Sequence, residues 1–248
     1  MKLTDEVYLV GGGNFAFGLS GDLDAHVYAI EGGDEIALVD CGMGDDSALN
    51  DIVANLKADG LDLARVRKLL LTHYHADHAG GASKVAERLG LAVYASRVAA
   101  PALRNADEDV IGLNIAKAAG FYPESYHIYP CPIERELAEG DSVRVGGLTI
   151  EVFDTPGHCH GHLSFVMQGK EKRYLFGGDL AFFGGEIILQ NIPDCNIQDY
   201  GRSVFKLEGQ RIDAFLPGHV TISLRNGQRH VDAAAAAFRR LAVPPNLI

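Results

Sequence analysis

LTHYHADHAGG, residues 71–81, crowds His73, His75, Asp77 and His78 into six positions. Such side chains prefer water or a metal ion to an apolar core. In a purely structural role each would need its own hydrogen-bond partner. One or two cations would satisfy all four together. In an extended segment side chains two apart point the same way, so His73 and His75 face one point, as two imidazole ligands of one cation should. Asp77 shares that parity, while His78 is displaced and suited to a second cation. The run VRKLLLTH reads as a buried strand that delivers its C-terminal end into this cluster, and Gly80 and Gly81 leave space beside it.

The flanking sequence supplies a sheet for that strand. EVYLV, AHVYAIE and EIALVDCG read as strands, the apolar runs bounded by Gly and Asp as buried strands are. Asp45 or Asp46 is placed to cap a helix whose apolar positions Leu49, Ile52, Val53 and Leu56 fit helical spacing. SKVAERLG reads as a helix stopped by Gly90, and LAVYAS as the next strand. A different texture, rich in Pro and Tyr, fills about 96–139 and reads as a lid-like helical and aromatic insertion over one end of the sheet. DSVRVGGLTIEVFDT then predicts a hairpin turning at Gly146-Gly147. Strands at HLSFVM, RYLFGG and DAFLPGH alternate with helices in DYGRSVFKLEG and VDAAAAAFRRLA. No fixed-period repeat or linker interrupts the chain, so the expectation is a single domain over 1–248.

Three more motifs repeat one topological placement. DTPGHCHGH sets His158 in a Pro-Gly turn after a strand, GGD sets Asp179 after another, and FLPGHV sets His219 after the last. Each alone reads as an ordinary turn residue. Together they lie at C-terminal strand ends, where α/β sites gather.

The order His73-x-His75-x-Asp77-His78, TPGH, GGD and PGH, from about Val39 to His219, resembles the metallo-β-lactamase superfamily. The HxHxDH motif is highly specific, and the later motifs are telling as a series. The resemblance implies an α+β fold, a four-layer αββα sandwich with a two-metal site at one edge. It implies His73, His75 and His158 on a first metal, and Asp77, His78 and His219 on a second, with Asp179 bridging. Asp40, in LVDCG, is implied to hydrogen-bond near the site without binding metal. Zinc is the family habit; iron and manganese also fit mixed imidazole and carboxylate ligands. Two such cations sharing a water bring its pKa from about 16 to about 7, giving a nucleophile at neutral pH. Asp77 is then the catalytic residue, orienting the nucleophile and relaying a proton to the leaving group.

The bridging Asp179 is similar to glyoxalase II, lactonase and phosphodiesterase branches and unlike true β-lactamases. Glyoxalase II adds a C-terminal helical domain, whereas 29 residues follow His219 here. Lactonases commonly carry tyrosine three residues after the bridging Asp, where this chain has Phe182. The expectation is a hydrolase of a small ester, thioester or lactone. A competing resemblance is to persulfide dioxygenases, which would use one iron on His73, His158 and Asp179. Phosphodiesterase action and metal binding without catalysis are further alternatives.

Composition narrows the partners. With 22 Lys and Arg against 33 Asp and Glu, the net charge of −11 disfavours nucleic acid and anionic membrane, leaving a small-molecule substrate. The N-terminus has no basic region followed by an apolar run. Cys41, Cys131, Cys159 and Cys195 are far apart, and a reduced cytoplasmic protein is expected. His160 and His162 flank His158 and read either as orienting groups or as ordinary histidines. His127, beside Tyr122, Tyr126 and Tyr129, reads as a substrate contact or as packing. Cys159 has the wrong parity to share the direction of His158 and reads as a buried thiol. GGGNFAFGLSG lacks the GK[ST] ending of a phosphate loop, and reads as a loop near the site with Phe15 and Phe17 as apolar contacts.

Overall fold

The computed structural model describes residues 1–248. Its strands are β1 (Val7–Gly11), β2 (Val27–Glu31), β3 (Ile36–Val39), β4 (Val66–Leu70), β5 (Ala92–Ser96), β6 (Arg135–Leu137), β7 (Ser142–Val145), β8 (Leu148–Asp154), β9 (Leu163–Gln168), β10 (Arg173–Gly178) and β11 (Ala214–Pro217). The helices are α1 (Asp46–Ala58), α2 (Ala76–Ala79), α3 (Ala82–Leu89), α4 (Ala100–Asn105), α5 (Leu113–Ala118), α6 (Ile197–Leu207) and α7 (Gln228–Arg239). One sheet has the order β1-β2-β3-β4-β5-β6, the other β11-β10-β9-β8-β7. From β3 to β6 the pairing is parallel, as it is between β10 and β11.

Strand parity explains the four layers. Val7 and Leu9 of β1, Ala37 and Val39 of β3, and Phe165 and Met167 of β9 meet in one buried cluster between the sheets. The alternate residues Tyr8, Val10, Ile36 and Leu38 face a second cluster, shared with Leu49, Ile52 and Leu56 of α1 and Val85 of α3. Val166 and Leu175, on the outer face of the second sheet, pack with Tyr200 and Val204 of α6 and Val231 of α7. Because both faces of each central strand are covered, the strands read as unbroken apolar runs. Phe165 and Phe176 are almost completely buried between the sheets; truncating either to alanine would cost about 3–5 kcal/mol. This is the expected αββα sandwich.

Local details depart from the sequence reading in instructive ways. Asp45 occupies the N-cap of α1, yet its side chain caps no backbone N–H. Gly90 ends α3 in the left-handed conformation, as expected. Segment 96–139 contributes α4, α5 and then β6, which joins the edge of the first sheet beside β5. Its Leu103, Ile111, Leu113 and Ile128 are buried in the same cluster as the outer face of that sheet.

Candidate metal centre

Strands β4, β8, β10 and β11 end along one edge of the sandwich and release His73, His158, Asp179 and His219 into adjoining loops. Backbone bonds stitch those loops together. Leu163 N donates to Thr72 O at 2.7 Å, Gly218 N to Gly178 O at 2.8 Å, and Ala25 N to Asp77 O at 3.0 Å. The extended-chain parity holds only from His73 to His75. His75 is the N-cap of the one-turn helix α2, so Asp77 and His78 sit on a helical turn. That turn, rather than strand alternation, swings them away from the first pair of imidazoles.

All seven candidate ligands converge. His75 Nδ1 lies 2.9 Å from His158 Nε2. His219 Nε2 lies 3.1 Å from Asp77 Oδ2 and 3.3 Å from His78 Nε2. Asp179 stands between the two sets. Its Oδ1 is 3.3 Å from His78 Nε2, and its Oδ2 is 3.5 Å from both His158 Nε2 and His219 Nε2. Donor atoms of His73, His158 and Asp179 form one compact group, and those of Asp77, His78 and His219 another. Gly218 lets them close, because a Cβ there would stand 2.5 Å from His78 Cε1 and nearer still to Asp179 Oδ1.

Groups beneath the ligands fix which nitrogen faces inward. Asp40 Oδ2 accepts from His78 Nδ1 at 2.8 Å and from Thr72 Oγ1 at 2.8 Å, while Oδ1 accepts from Thr72 N. Thr72 Oγ1 in turn accepts from His73 Nδ1 at 3.0 Å. His73 Nε2 is therefore a lone pair aimed into the cluster and His78 Nε2 also faces inward, while His73 Nε2 and Asp179 Oδ1 are buried without a hydrogen-bond partner. Imidazole nitrogens that face one another at about 3 Å, as His75 and His158 do and His78 and His219 do, need a proton or a metal ion between them. The observed 3.1–3.7 Å spacings among the second set and Asp179 bracket the separation of about 3.4 Å that metal bonds of about 2.1 Å impose in a tetrahedral shell. The donor set fits divalent cations on this ground.

The electrostatics agree. Burial opposes charge on Asp77 and Asp179, but the facing imidazoles of His78 and His219 outweigh it and hold both carboxyls below the usual range. His78 is raised against its burial by Asp179, Asp77 and Asp40. Burial and then the neighbouring imidazoles push His73 well down, and burial takes His158 to about 4, so both are neutral at pH 7 as ligands must be.

Other candidates separate cleanly. His162 is fully buried and accepts from Asp179 N at 3.0 Å, while its Nδ1 donates to Thr155 Oγ1 at 3.0 Å, so it orients the backbone of Asp179. His160 is exposed. His127 binds Glu108 Oε1 at 2.9 Å, inside the 96–139 segment. His26 Nδ1 donates to Pro217 O at 2.8 Å beneath the His219 turn. Cys159 lies closer to the centre than its parity suggested, with Sγ grouped beside His73 and His75. The turn at 157–161 breaks the alternation on which that expectation rested. Burial, with Asp194 nearby, keeps its thiol protonated, which fits a packed side chain. Gly80 and Gly81 leave no open space: a Cβ at Gly80 would overlap the Tyr126 hydroxyl, and at Gly81 the backbone of Gly44. The GGGNFAFGLSG loop does reach the site's border, since Val220 N donates to Phe15 O at 2.6 Å.

Two neighbours carried no local signal in the sequence. Asp194 Oδ2 accepts from Tyr74 Oη at 2.8 Å and lies 3.6 Å from His75 Nε2, behind that imidazole. Tyr122 Oη donates to Asp77 Oδ1 at 3.3 Å. Burial, and then the charge of Asp77, raise the Tyr122 phenol well above its ordinary pKa, so it remains a donor. Phe182 is buried, its ring centre 6.3 Å from that of His219.

A two-sheet sandwich with imidazoles and carboxylates at one edge defines a class of metal-dependent fold. Residues 20–219 match the family model described as the metallo-beta-lactamase superfamily, and the chain belongs to that superfamily. A hydroxyacylglutathione hydrolase of Rhodopseudomonas palustris is 33% identical over 131 residues, 53% of this chain and 39% of that protein. The lactamase-like protein aptB of Emericella nidulans is 26% identical over 88% of this chain and 57% of its own length. An atrochrysone carboxyl ACP thioesterase of Aspergillus fumigatus is 25% identical over 83% of this chain and 53% of its own. The chain thus spans about half the length of these relatives, from 39% to 57%. Among solved structures, a Cronobacter sakazakii metallo-beta-lactamase with a HARLDQ motif superposes with a TM-score of 0.72 at 22% identity, covering 97% of this chain and 96% of its own. BJP-1, a subclass B3 enzyme of Bradyrhizobium japonicum, gives 0.72 at 22%, covering 97% and 91%. At such identities these two likenesses speak to the fold alone.

Proposed function

We propose that the protein is a hydrolase that holds two divalent cations and cleaves a small ester, thioester or lactone. The observation that carries this reading is the position of Asp179, whose two oxygens face both groups of imidazoles. His73, His75 and His158 would hold one cation and Asp77, His78 and His219 the other, with Asp179 shared. Zinc is the preferred metal, with iron or manganese as alternatives. Among the relatives, one is a hydroxyacylglutathione hydrolase and one a thioesterase, which supports placing thioesters first. No helix is long and apolar enough to cross a membrane. A small-molecule substrate and a cytoplasmic location remain proposals.

When bound, a pair of cations supplies Lewis acidity that makes water a nucleophile at neutral pH and polarises a carbonyl oxygen. The protein's own residues supply the rest. Asp77, whose side chain is partly open to solvent, would orient the attacking water and relay its proton to the leaving sulfur or oxygen as the acyl bond breaks. Asp40, Thr72 and His162 keep the imidazoles and Asp179 in the orientation that this exchange needs. Phe15, 65% exposed, and Phe17, 48% exposed, offer apolar contact at the border of the site.

A second reading has its own observation, the compact group of His73, His158 and Asp179, the set for a single iron in a persulfide dioxygenase. It leaves Asp77, His78 and His219 idle. The test is elemental analysis followed by a screen of lactones, thioesters, aryl esters, phosphodiesters and a cephalosporin. Two metals per chain with acyl hydrolysis support the first reading. One iron per chain, with oxygen consumed on glutathione persulfide, replaces it with the second. His75→Ala and Asp179→Asn are expected to lose metal and turnover together while remaining folded.

A further inference from the structure

We propose that Tyr122 is a positioning residue for the cation held by Asp77, His78 and His219, so that segment 96–139 sets the affinity of that site. The inference rests on the two-cation reading above. Every other proposed ligand except His75 takes its outer hydrogen bond from the strand-end loops or stands with its outer nitrogen unpaired. His73 is held through Thr72, His78 through Asp40, and the backbone N–H of Asp179 through His162. His158 Nδ1 faces Ile188 O at 3.5 Å. Asp77 differs. Its side chain takes its hydroxyl donor from a residue 45 positions away in segment 96–139.

The geometry divides the two carboxylate oxygens. Oδ2 lies 3.1 Å from His219 Nε2 and 3.7 Å from His78 Nε2, the direction of the cation, while Oδ1 turns to the phenol. A carboxylate at the start of a short helical turn can rotate about its last bond and exchange these oxygens, because that torsion is broad. A donor on Oδ1 removes this freedom and presents Oδ2 inward. The main chain is already fixed, since Asp77 O accepts from Ala25 N. The side-chain torsion is what remains to be set.

Tyr122 is itself seated. Its ring centre is 5.9 Å from that of Tyr126, whose hydroxyl donates to Met43 O at 2.9 Å in the space left by Gly80. The glycine after the HxHxDH motif thus admits the segment that braces the aspartate within it. Hydrogen bonds behind metal ligands typically govern affinity by about 10–100-fold. A single phenol bond of 3.3 Å belongs at the lower end of that range, about 10-fold.

The experiment titrates Zn²⁺ into metal-free protein against a chromophoric chelator and resolves two binding events. Asp77→Asn identifies which event belongs to the Asp77 site. Tyr122→Phe should weaken that event about 10-fold, leaving the other event and the melting temperature of the metal-free protein unchanged. Tyr126→Phe, which loosens the seat of Tyr122 but keeps the hydroxyl on Asp77, should weaken that event by less than Tyr122→Phe does. An unaltered titration in Tyr122→Phe overturns the proposal, as does an equal loss in Tyr126→Phe. A single binding event in the unsubstituted protein defeats the two-cation reading itself, and the failure is then visible before any variant is made.

Discussion

Gly218→Ala tests the close approach on which the centre depends. Gly218 has no positive φ and is buried, so alanine fits its backbone and only the methyl group intrudes. That methyl would stand 2.5 Å from His78 Cε1 and nearer to Asp179 Oδ1, where ordinary contact begins at 3.4 Å. Relief requires one or both ligands to move by about 1 Å, since the repulsive wall is steep. Neither can move freely: His78 is pinned by Asp40 and Asp179 by its backbone bond to His162. Overpacking of this kind costs about 1–3 kcal/mol of stability. A displacement of about 1 Å at a reacting centre costs about 100-fold in rate. We expect Gly218→Ala to keep its circular dichroism spectrum, to fall about 10–100-fold in Zn²⁺ affinity by chelator competition, and to lose about 100-fold in turnover. Wild-type metal content and turnover in this variant would refute the placement of His78 and Asp179 at the Gly218 turn.

Two further outcomes follow from buried groups. His162→Ala leaves the Asp179 N–H without its acceptor; the variant should lose about 1–3 kcal/mol in urea unfolding as well as metal, and an unchanged midpoint would count against that bond. Burial pushes His26 down to about 3 from 6.5. Between these values the unfolded chain binds a proton that the fold excludes, so stability is full above 6.5 and declines as pH falls. The loss is about 2 kcal/mol between pH 6.5 and 5, from about 1.4 kcal/mol per unit. His26→Gln should be less sensitive over that window by this amount in urea midpoints of metal-free protein, and a parallel decline in both proteins would refute it.

The sandwich was legible because its central strands are covered on both faces and each strand end carries a chemically distinctive residue. VYAI and IALV gave strands at β2 and β3, and the Gly146-Gly147 turn gave the β7–β8 hairpin with Val145 paired to Leu148. The seven candidate ligands were readable as a series for the same reason. Alternation failed where the chain leaves the strand, at the α2 turn carrying Asp77 and at the turn carrying Cys159, because parity is a property of extended backbone. What escaped entirely was support between distant segments. Tyr74 meets Asp194 across 120 positions and Tyr122 meets Asp77 across 45, and no local pattern announces such pairs. The short β6 strand was hidden within the Pro- and Tyr-rich segment, where three residues make a strand only because β5 offers an edge.

Anomalous diffraction from crystals grown with Zn²⁺ tests the central claim most directly. Two peaks should appear, one bounded by His73, His75 and His158 and one by Asp77, His78 and His219, with Asp179 between them at bond lengths of about 2.0–2.2 Å. A map without a peak among these residues, or with one peak confined to His73, His158 and Asp179, would contradict it.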